Sequence, residues 1–197
     1  MSIGAIVLAA GGSTRFGRPK QLLKFRGESL VRRAVTAALG AGCAKVIVVA
    51  GESDDALREE LRETPAAVIR NSEWEHGLGT SIRCGLEFLM ASNRELEAIV
   101  LLTCDQPFVE ADVVASLVAE AKRSGKPIVA SSYANTLGVP AFFAGSCFSA
   151  LLDLPDDSGA KSVIQSRIDK VASIPFENGA IDIDTPEDFQ RLSERSS

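Results

Sequence analysis

A glycine-rich segment follows the first apolar run of the chain and contains the residue types that bind phosphate groups. It covers residues 8–20 and reads LAAGGSTRFGRPK. Gly11 and Gly12 let the backbone approach a ligand closely, and the exposed N–H groups of such a turn form a concave site for phosphate oxygens. Arg15 and Lys20 can neutralise a polyphosphate. The combination predicts a nucleotide site rather than a turn without a ligand.

The spacing of these residues excludes two familiar phosphate-binding loops. A P-loop has the pattern GxxxxGK[ST], but Arg18 follows Gly17 in this chain. The dinucleotide fingerprint GxGxxG is also absent from the segment. The loop must therefore bind its nucleotide in a different way.

Two acidic segments could hold a metal ion beside the phosphates. The tetrapeptide CDQP directly follows the apolar run AIVLLT, so Asp105 should lie at the carboxyl edge of a sheet, together with the glycine-rich loop. In IDIDTPEDF, residues 181–189, alternation with isoleucines places Asp182 and Asp184 on one face of a predicted strand. Carboxylates beside a polyphosphate suit Mg²⁺, which prefers oxygen ligands and keeps several of its waters.

A third polar segment, NSEWEHGLGTSI at residues 71–82, links a short apolar run to an amphipathic one. Gly77 and Gly79 leave room for close backbone approach. Thr80 and Ser81 can cap the helix that follows, and a helix N-terminus attracts anions. Its tryptophan, the only one in the chain, is interpreted as a packing anchor.

The elements that must position these segments alternate between strand and helix. Continuous apolar runs predict strands that are buried on both faces, at residues 3–9, 46–50, 67–69, 98–103 and 127–131. Amphipathic segments predict helices at residues 29–39, 53–63, 78–90 and 110–123. This alternation indicates a single three-layer α/β/α domain over residues 1–197 with a mostly parallel, Rossmann-like sheet. Shorter apolar pieces are expected to form a mixed edge of that sheet, at residues 139–143, 150–154 and 171–176.

Composition narrows the possible partners and locations. The 197 residues carry a formal charge of −5, which argues against nucleic-acid binding, and no apolar run approaches the ~20 residues of a membrane span. A single histidine excludes mechanisms with paired histidines. The four cysteines form no CxxC pair and are expected to be free thiols, mostly in the core. The apolar start is too short for a signal peptide, so we expect a cytoplasmic protein.

The motifs together resemble the nucleotidyltransferases that join a nucleoside triphosphate to a phosphorylated acceptor. LAAGGSTRFGRPK is similar to the pattern LAAGxSxRxGxxK of the molybdenum-cofactor branch, the MobA-like NTP transferases, which includes cytidylyl and guanylyl transferases. CDQP resembles the metal-binding element of that family, and NSEWEHGLGTSI resembles its NxxWxxGxxxSI pattern. IDIDTPEDF resembles the DxDTPED element of the cytidylyl branch.

The resemblance implies the fold of nucleotide-diphospho-sugar transferases and a specific reaction. That reaction is transfer of CMP from CTP to the phosphate of molybdopterin (molybdenum) cofactor, with Mg²⁺ as the metal and pyrophosphate as the product. A recipient molybdoenzyme would be a further partner. Alternatives within the class are a guanylyltransferase for the same cofactor and a sugar-phosphate nucleotidylyltransferase. An alternative of another class is a non-catalytic molybdenum-cofactor carrier.

The resemblance also assigns roles to residues. It implies that Lys20, Arg15 and Asp105 are catalytic. Asp105 and Asp184 are the implied metal ligands, although the alternative of Asp182 in place of Asp184 stays open. The implied nucleotide-binding residues are Leu8, Ala9, Ala10, Gly11, Gly12, Arg15, Lys20, Asn71, Gly79, Ser81 and Asp105. Guanylyl relatives typically have glycine at the position of Ala10. The methyl group of Ala10 is therefore expected to favour a pyrimidine base.

Overall fold

One sheet of seven strands organises the computed structural model, which describes residues 1–11, 19–183 and 185–194. In chain order the first elements are β1 (Ser2–Ala9), β2 (Lys24–Phe25), β3 (Glu28–Ser29), α1 (Leu30–Gly40), β4 (Lys45–Ala50), α2 (Asp54–Leu61), β5 (Ala67–Arg70) and α3 (Leu78–Ser92). The elements that follow are β6 (Leu96–Thr103), α4 (Ala111–Ser124), β7 (Ile128–Tyr133), β8 (Thr136–Ala144), α5 (Phe148–Leu152), α6 (Ala160–Ser166), β9 (Val171–Pro175) and α7 (Pro186–Glu194). The predicted strands and helices of the first two-thirds are confirmed, with ends that shift by up to two residues.

The strand order places the end of β1, where the glycine-rich segment begins, beside the end of β6. That order is β5-β4-β1-β6-β8-β7-β9, and of the seven described strands of this sheet only β8 runs antiparallel to its neighbours. β2 and β3 form a separate antiparallel pair. The mostly parallel sheet is therefore confirmed. In the parallel pairing of β1 with β6, Leu8 lies opposite Thr103, so both strands end at the same level. Ligands of open α/β sheets bind at this carboxyl edge.

Alternation along the strands divides the core into two layers. Odd-numbered residues of β1, such as Ala5 and Val7, pack on the face that carries α1, α2 and α4. Even-numbered residues, such as Ile6 and Leu8, pack on the face that carries α3, α5 and α6. Each fully buried aliphatic side chain contributes about 1.5–3 kcal/mol relative to exposure, so strands this apolar require cover on both faces. The three-layer α/β/α arrangement is confirmed.

The last third of the chain contains two departures from the predicted pattern. Residues 139–143 and 171–176 contribute to β8 and β9 as expected, but residues 150–154 overlap α5 and form no strand. Phe148 and Leu151, three residues apart, bury one face of that short helix, and a run of this length does not reveal its period. Residues 181–183 form no strand either, so the expected strand face for Asp182 is wrong.

The cysteines agree with the expectation from composition. All four cysteines are free, and Cys43, Cys104 and Cys147 are buried. Burial raises the pKa of Cys43 to about 11 and that of Cys104 to about 12, so both stay protonated and unreactive at neutral pH. Of the described helices, none has the length and apolar character needed to cross a bilayer.

Candidate functional site

A cleft of about 250 Å³ opens at the carboxyl ends of β1 and β6. Three segments line it: the residues that follow β1, the turn before α3, and the end of β6. Predicted site residues in its lining are Leu8, Ala9, Ala10, Gly11, Lys20, Ser81 and Asp105. The structure thus brings together residues that are almost a hundred positions apart in the sequence.

Lys20 and Asp105 form an ion pair at one end of this cleft. The Nζ atom of Lys20 lies 3.1 Å from Oδ2 of Asp105, and the two side chains are 14% and 25% exposed. The same Nζ donates a hydrogen bond to the carbonyl oxygen of Ile183, at 3.2 Å. In return, the backbone N–H of Ile183 donates to the carbonyl oxygen of Asp105, at 3.0 Å. The segment before α7 is therefore fastened to the end of β6 at the site.

Gln21 fixes the path of the chain where it leaves β1, a role that the sequence did not reveal. Its side chain is buried, and Nε2 donates to the carbonyl oxygens of Ala9 and Gly11, at 2.7 and 2.9 Å. These two carbonyls flank Ala10, so one amide group sets the orientation of the backbone on both sides of that residue. The only signal in the sequence is an amide placed directly before two leucines.

Two further side chains hold the CDQP segment in place. The guanidinium of Arg33, on α1, donates through Nε to the carbonyl oxygen of Pro107, at 3.0 Å. Gln106 is buried and donates through Nε2 to the carbonyl oxygens of Val139 and Gly179, at 3.2 and 2.9 Å. The residue directly after Asp105 is therefore anchored to β8 and to the turn before residues 181–183.

Asn71 does not line the cleft, but it forms hydrogen bonds with the first turn of α3, which does. Its Nδ2 donates to the hydroxyl oxygens of Thr80 and Ser81, at 2.8 and 3.0 Å, and its Oδ1 accepts from the N–H of Glu73. Because α3 begins at Leu78, Thr80 and Ser81 lie within its first turn, and the expectation that they cap the helix is wrong. Asn71 thereby orients the hydroxyl group of Ser81, which does line the cleft.

Gly79 is also explained by packing, because the segment 155–157 crosses directly over it. Its N–H donates to the carbonyl oxygen of Asp156, at 2.8 Å, and a Cβ atom there would collide with the carbonyl oxygen of Pro155. The N–H group of Gly79, at the start of α3, is therefore already hydrogen-bonded within the protein. Gly79 does not line the cleft, so its predicted contact with the nucleotide stays a prediction.

Trp74 forms a side wall of the cleft next to Ala10. A Cβ atom on Gly51 would lie 2.9 Å from Cγ of Trp74 and 2.8 Å from the carbonyl oxygen of Ala10. The glycine after β4 thus allows the indole to approach the end of β1. The packing interpretation of Trp74 agrees with this contact, and the same contact limits the width of the cleft.

Three predicted site residues, Gly12, Arg15 and Asp184, lie outside the described residues. Within the described ranges, no group of three or more His, Cys, Asp or Glu side chains could hold a metal ion. Asp105 nevertheless offers a partly exposed carboxylate to the cleft. This donor set suits an ion such as Mg²⁺, which takes one or two protein carboxylates and completes its shell with phosphate oxygens and water.

Comparison with known proteins identifies the family. The model of the MobA-like NTP transferase domain matches residues 5–171. The chain belongs to this family. The fold class expected from the sequence is confirmed as well, since the structural neighbours include nucleotidyltransferases of the nucleotide-diphospho-sugar transferase fold.

Two related proteins and one solved structure are similar to this chain over almost its whole length. Nicotine blue oxidoreductase of Paenarthrobacter nicotinovorans is 28% identical over 202 residues, which cover 96% of each chain. The molybdenum cofactor cytidylyltransferase of Escherichia coli K12 is 24% identical over 197 residues, covering 98% of this chain and 97% of that protein. The structure of Rv0371c from Mycobacterium tuberculosis H37Rv in complex with manganese matches with a TM-score of 0.78 at 28% identity, over 98% of this chain and 99% of that one.

The packing over α3 predicts that Gly79→Ala destabilises the fold. The added methyl group must displace the backbone of Pro155, and overpacking of this kind costs about 1–3 kcal/mol. Thermal unfolding measures the effect. Gly11→Ala is the matched control, because a Cβ atom there would meet no atom of residues 1–11, 19–183 or 185–194 within 4 Å. Equal melting temperatures for the two variants would contradict the packing role of Gly79.

Proposed function

We propose that the protein transfers CMP from CTP to the terminal phosphate of molybdopterin cofactor and releases pyrophosphate. The observation that carries this proposal is the pairing of Lys20 with Asp105, 3.1 Å apart, at the edge where the residues after β1 begin the phosphate-binding loop. A cation and a carboxylate in one cleft are the groups needed to hold a triphosphate together with a divalent metal. The relative in Escherichia coli whose name states this reaction supports the choice of substrates.

The proposed chemistry requires positioning and charge stabilisation rather than a nucleophile on the protein. An oxygen of the acceptor phosphate attacks the α-phosphorus of CTP and forms the new P–O bond. The bond from the α-phosphorus to the bridging oxygen breaks, and pyrophosphate leaves with that electron pair. Holding both substrates in line converts an encounter in solution into a reaction within one complex.

Lys20 acts in this scheme on the β- and γ-phosphates, together with Arg15 and the glycines of the loop. Its ammonium group counters the negative charge that develops on the leaving pyrophosphate. The backbone of residues 8–11, fixed by Gln21, forms the floor under the base and sugar. Ala10 and Trp74 limit the space for the base.

Asp105 and Asp184 would hold the divalent metal. When bound, the ion supplies positive charge that polarises the triphosphate oxygens. The structure of Rv0371c with manganese supports the use of a divalent metal, and we propose Mg²⁺ for this protein. Residues 1–197 act as one nucleotidyltransferase domain in this proposal.

An activity matrix tests the proposed function. The protein is incubated with CTP or GTP, Mg²⁺ and either molybdopterin cofactor or a sugar 1-phosphate, and pyrophosphate and nucleotide-labelled acceptor are measured. We expect CMP-labelled cofactor and one pyrophosphate for each transfer. Transfer to the sugar phosphate, or binding of the cofactor without pyrophosphate release, would contradict the proposal.

Charge-removing variants identify the site within the same assay. Lys20→Ala should lose about 2–4 kcal/mol of transition-state stabilisation, because one preorganised cation is removed from the phosphates. Asp105→Asn should nearly abolish turnover that depends on the metal. Lys24→Ala and Asp112→Asn are matched controls, since neither residue lines the cleft, and they should keep the activity of the unmodified protein. Unchanged turnover in Asp105→Asn would remove this residue from the site.

Ala10→Gly should relax the preference for CTP over GTP. One methyl group in a base pocket discriminates by about 1–3 kcal/mol, so the unmodified protein should prefer CTP by roughly ten- to a few hundredfold. A competition assay with equal CTP and GTP measures the ratio, with molybdopterin cofactor as acceptor. Predominant GMP transfer by the unmodified protein would contradict the cytidylyl assignment and would leave the proposed site standing.

A further inference from the structure

The ammonium group of Lys20 lies where a metal bound to Asp105 would have to compete with it. Its Nζ is 3.1 Å from Oδ2 of Asp105, in a cleft where the lysine side chain is only 14% exposed. Most lysines carry their charge on a flexible, well-hydrated stem. This one instead neutralises the carboxylate that the proposed function assigns to the metal.

Hydrogen bonds on both sides of Lys20 hold the turn that carries it. Gln21, the next residue, anchors the turn to the carbonyl oxygens of Ala9 and Gly11. On the other side, the N–H of Leu23 donates to the carbonyl oxygen of Lys20, at 3.0 Å. The hydrogen bond from Nζ to the carbonyl oxygen of Ile183 aims the ammonium group further toward Asp105.

Two cations cannot share one carboxylate at close range without a large electrostatic cost. Like charges a few ångströms apart repel strongly in a partly buried cleft, where water screens them poorly. A triphosphate changes this balance, because its oxygens can bind the ammonium group and the divalent ion together. The nucleotide therefore supplies additional negative charge, which allows a second cation to bind beside Asp105.

We propose that Lys20 is the resident counter-ion of Asp105 in the absence of nucleotide and keeps divalent metal out of the site until the triphosphate draws the ammonium group away. The inference rests on the proposed nucleotide and metal site and adds an order of loading to it. Metal enters with the nucleotide and does not bind beforehand. Lys20 thus has two roles in sequence, first as the partner of Asp105 and then as a ligand of the phosphates.

Titration with Mn²⁺ alone tests this order. The full chain is titrated with MnCl₂ in the absence of nucleotide, and free Mn²⁺ is measured by electron paramagnetic resonance. Lys20→Gln should bind Mn²⁺ about tenfold more tightly than the unmodified protein, because the competing charge beside Asp105 is gone. Adding Asp105→Asn to Lys20→Gln should remove that gain.

Lys24→Gln is the matched control, because it removes the same charge from β2, outside the cleft. Its Mn²⁺ affinity should stay within about twofold of the unmodified protein, since a distant exposed charge is screened. Lys20→Met keeps the apolar stem and replaces Lys20→Gln if circular dichroism shows that the latter is unfolded. Equal affinities of the unmodified protein and the Lys20 variant would overturn the proposal, and so would an equal gain in Lys24→Gln.

The outcome is independent of the transfer reaction, because neither CTP nor acceptor is present. A protein that transfers CMP but shows no gain in Lys20→Gln would overturn the loading order alone. A protein that shows the gain but transfers no CMP would overturn the proposed function alone.

Discussion

The parallel pairing of β1 with β6 is the constraint on which the site depends. It brings Leu8 level with Thr103, so the chain leaves both strands at one point of the sheet edge. Lys20 and Asp105 are 85 residues apart in the sequence, and this register brings together the segments that lead to them. A slip of one residue would reverse the faces of every side chain in the strand, so the apolar packing on both faces also protects the geometry of the cleft.

Hydrogen bonds from polar side chains hold the backbone around the cleft in position. Gln21 orients the end of β1, Arg33 and Gln106 hold the two residues after Asp105, and Asn71 sets the turn before α3. Each bond pairs a buried or half-buried polar group, and leaving such a group unpaired costs about 1–3 kcal/mol. The cleft is therefore built on side chains that brace its walls, several of which would never touch a ligand.

The sequence predicted the layers of the fold because β1, β4 and β6 are almost entirely apolar. The central runs leave no alternative to a sheet that is covered on both faces. In short apolar segments, the hydrophobic periodicity did not distinguish a helix from a strand. The apolar spacing that forms α5 was interpreted as strand, and the alternation around Asp182 indicated a strand that does not form.

The sequence predicted those candidate site residues whose type determines their chemistry. It did not predict the residues whose role depends on packing. Lys20 and Asp105 are recognisable from charge and from their position after strands. The bracing role of Gln21 depends on two carbonyl groups whose direction no sequence pattern reveals. Gly79 illustrates the converse, because its type suggested a ligand contact while the structure explains it by the backbone of Pro155.

The central claim is that the edge formed by β1 and β6 binds a nucleotide and a divalent metal in one cleft. A crystal structure of the protein with CTP and Mn²⁺, with the metal located by anomalous scattering, tests it most directly. The account predicts an anomalous peak within coordination distance of Asp105, bridging to a triphosphate that is contacted by Lys20. The protein has a second groove, of about 910 Å³, lined by α2, β5 and α3. A nucleotide bound there, with no metal at Asp105, would contradict the account.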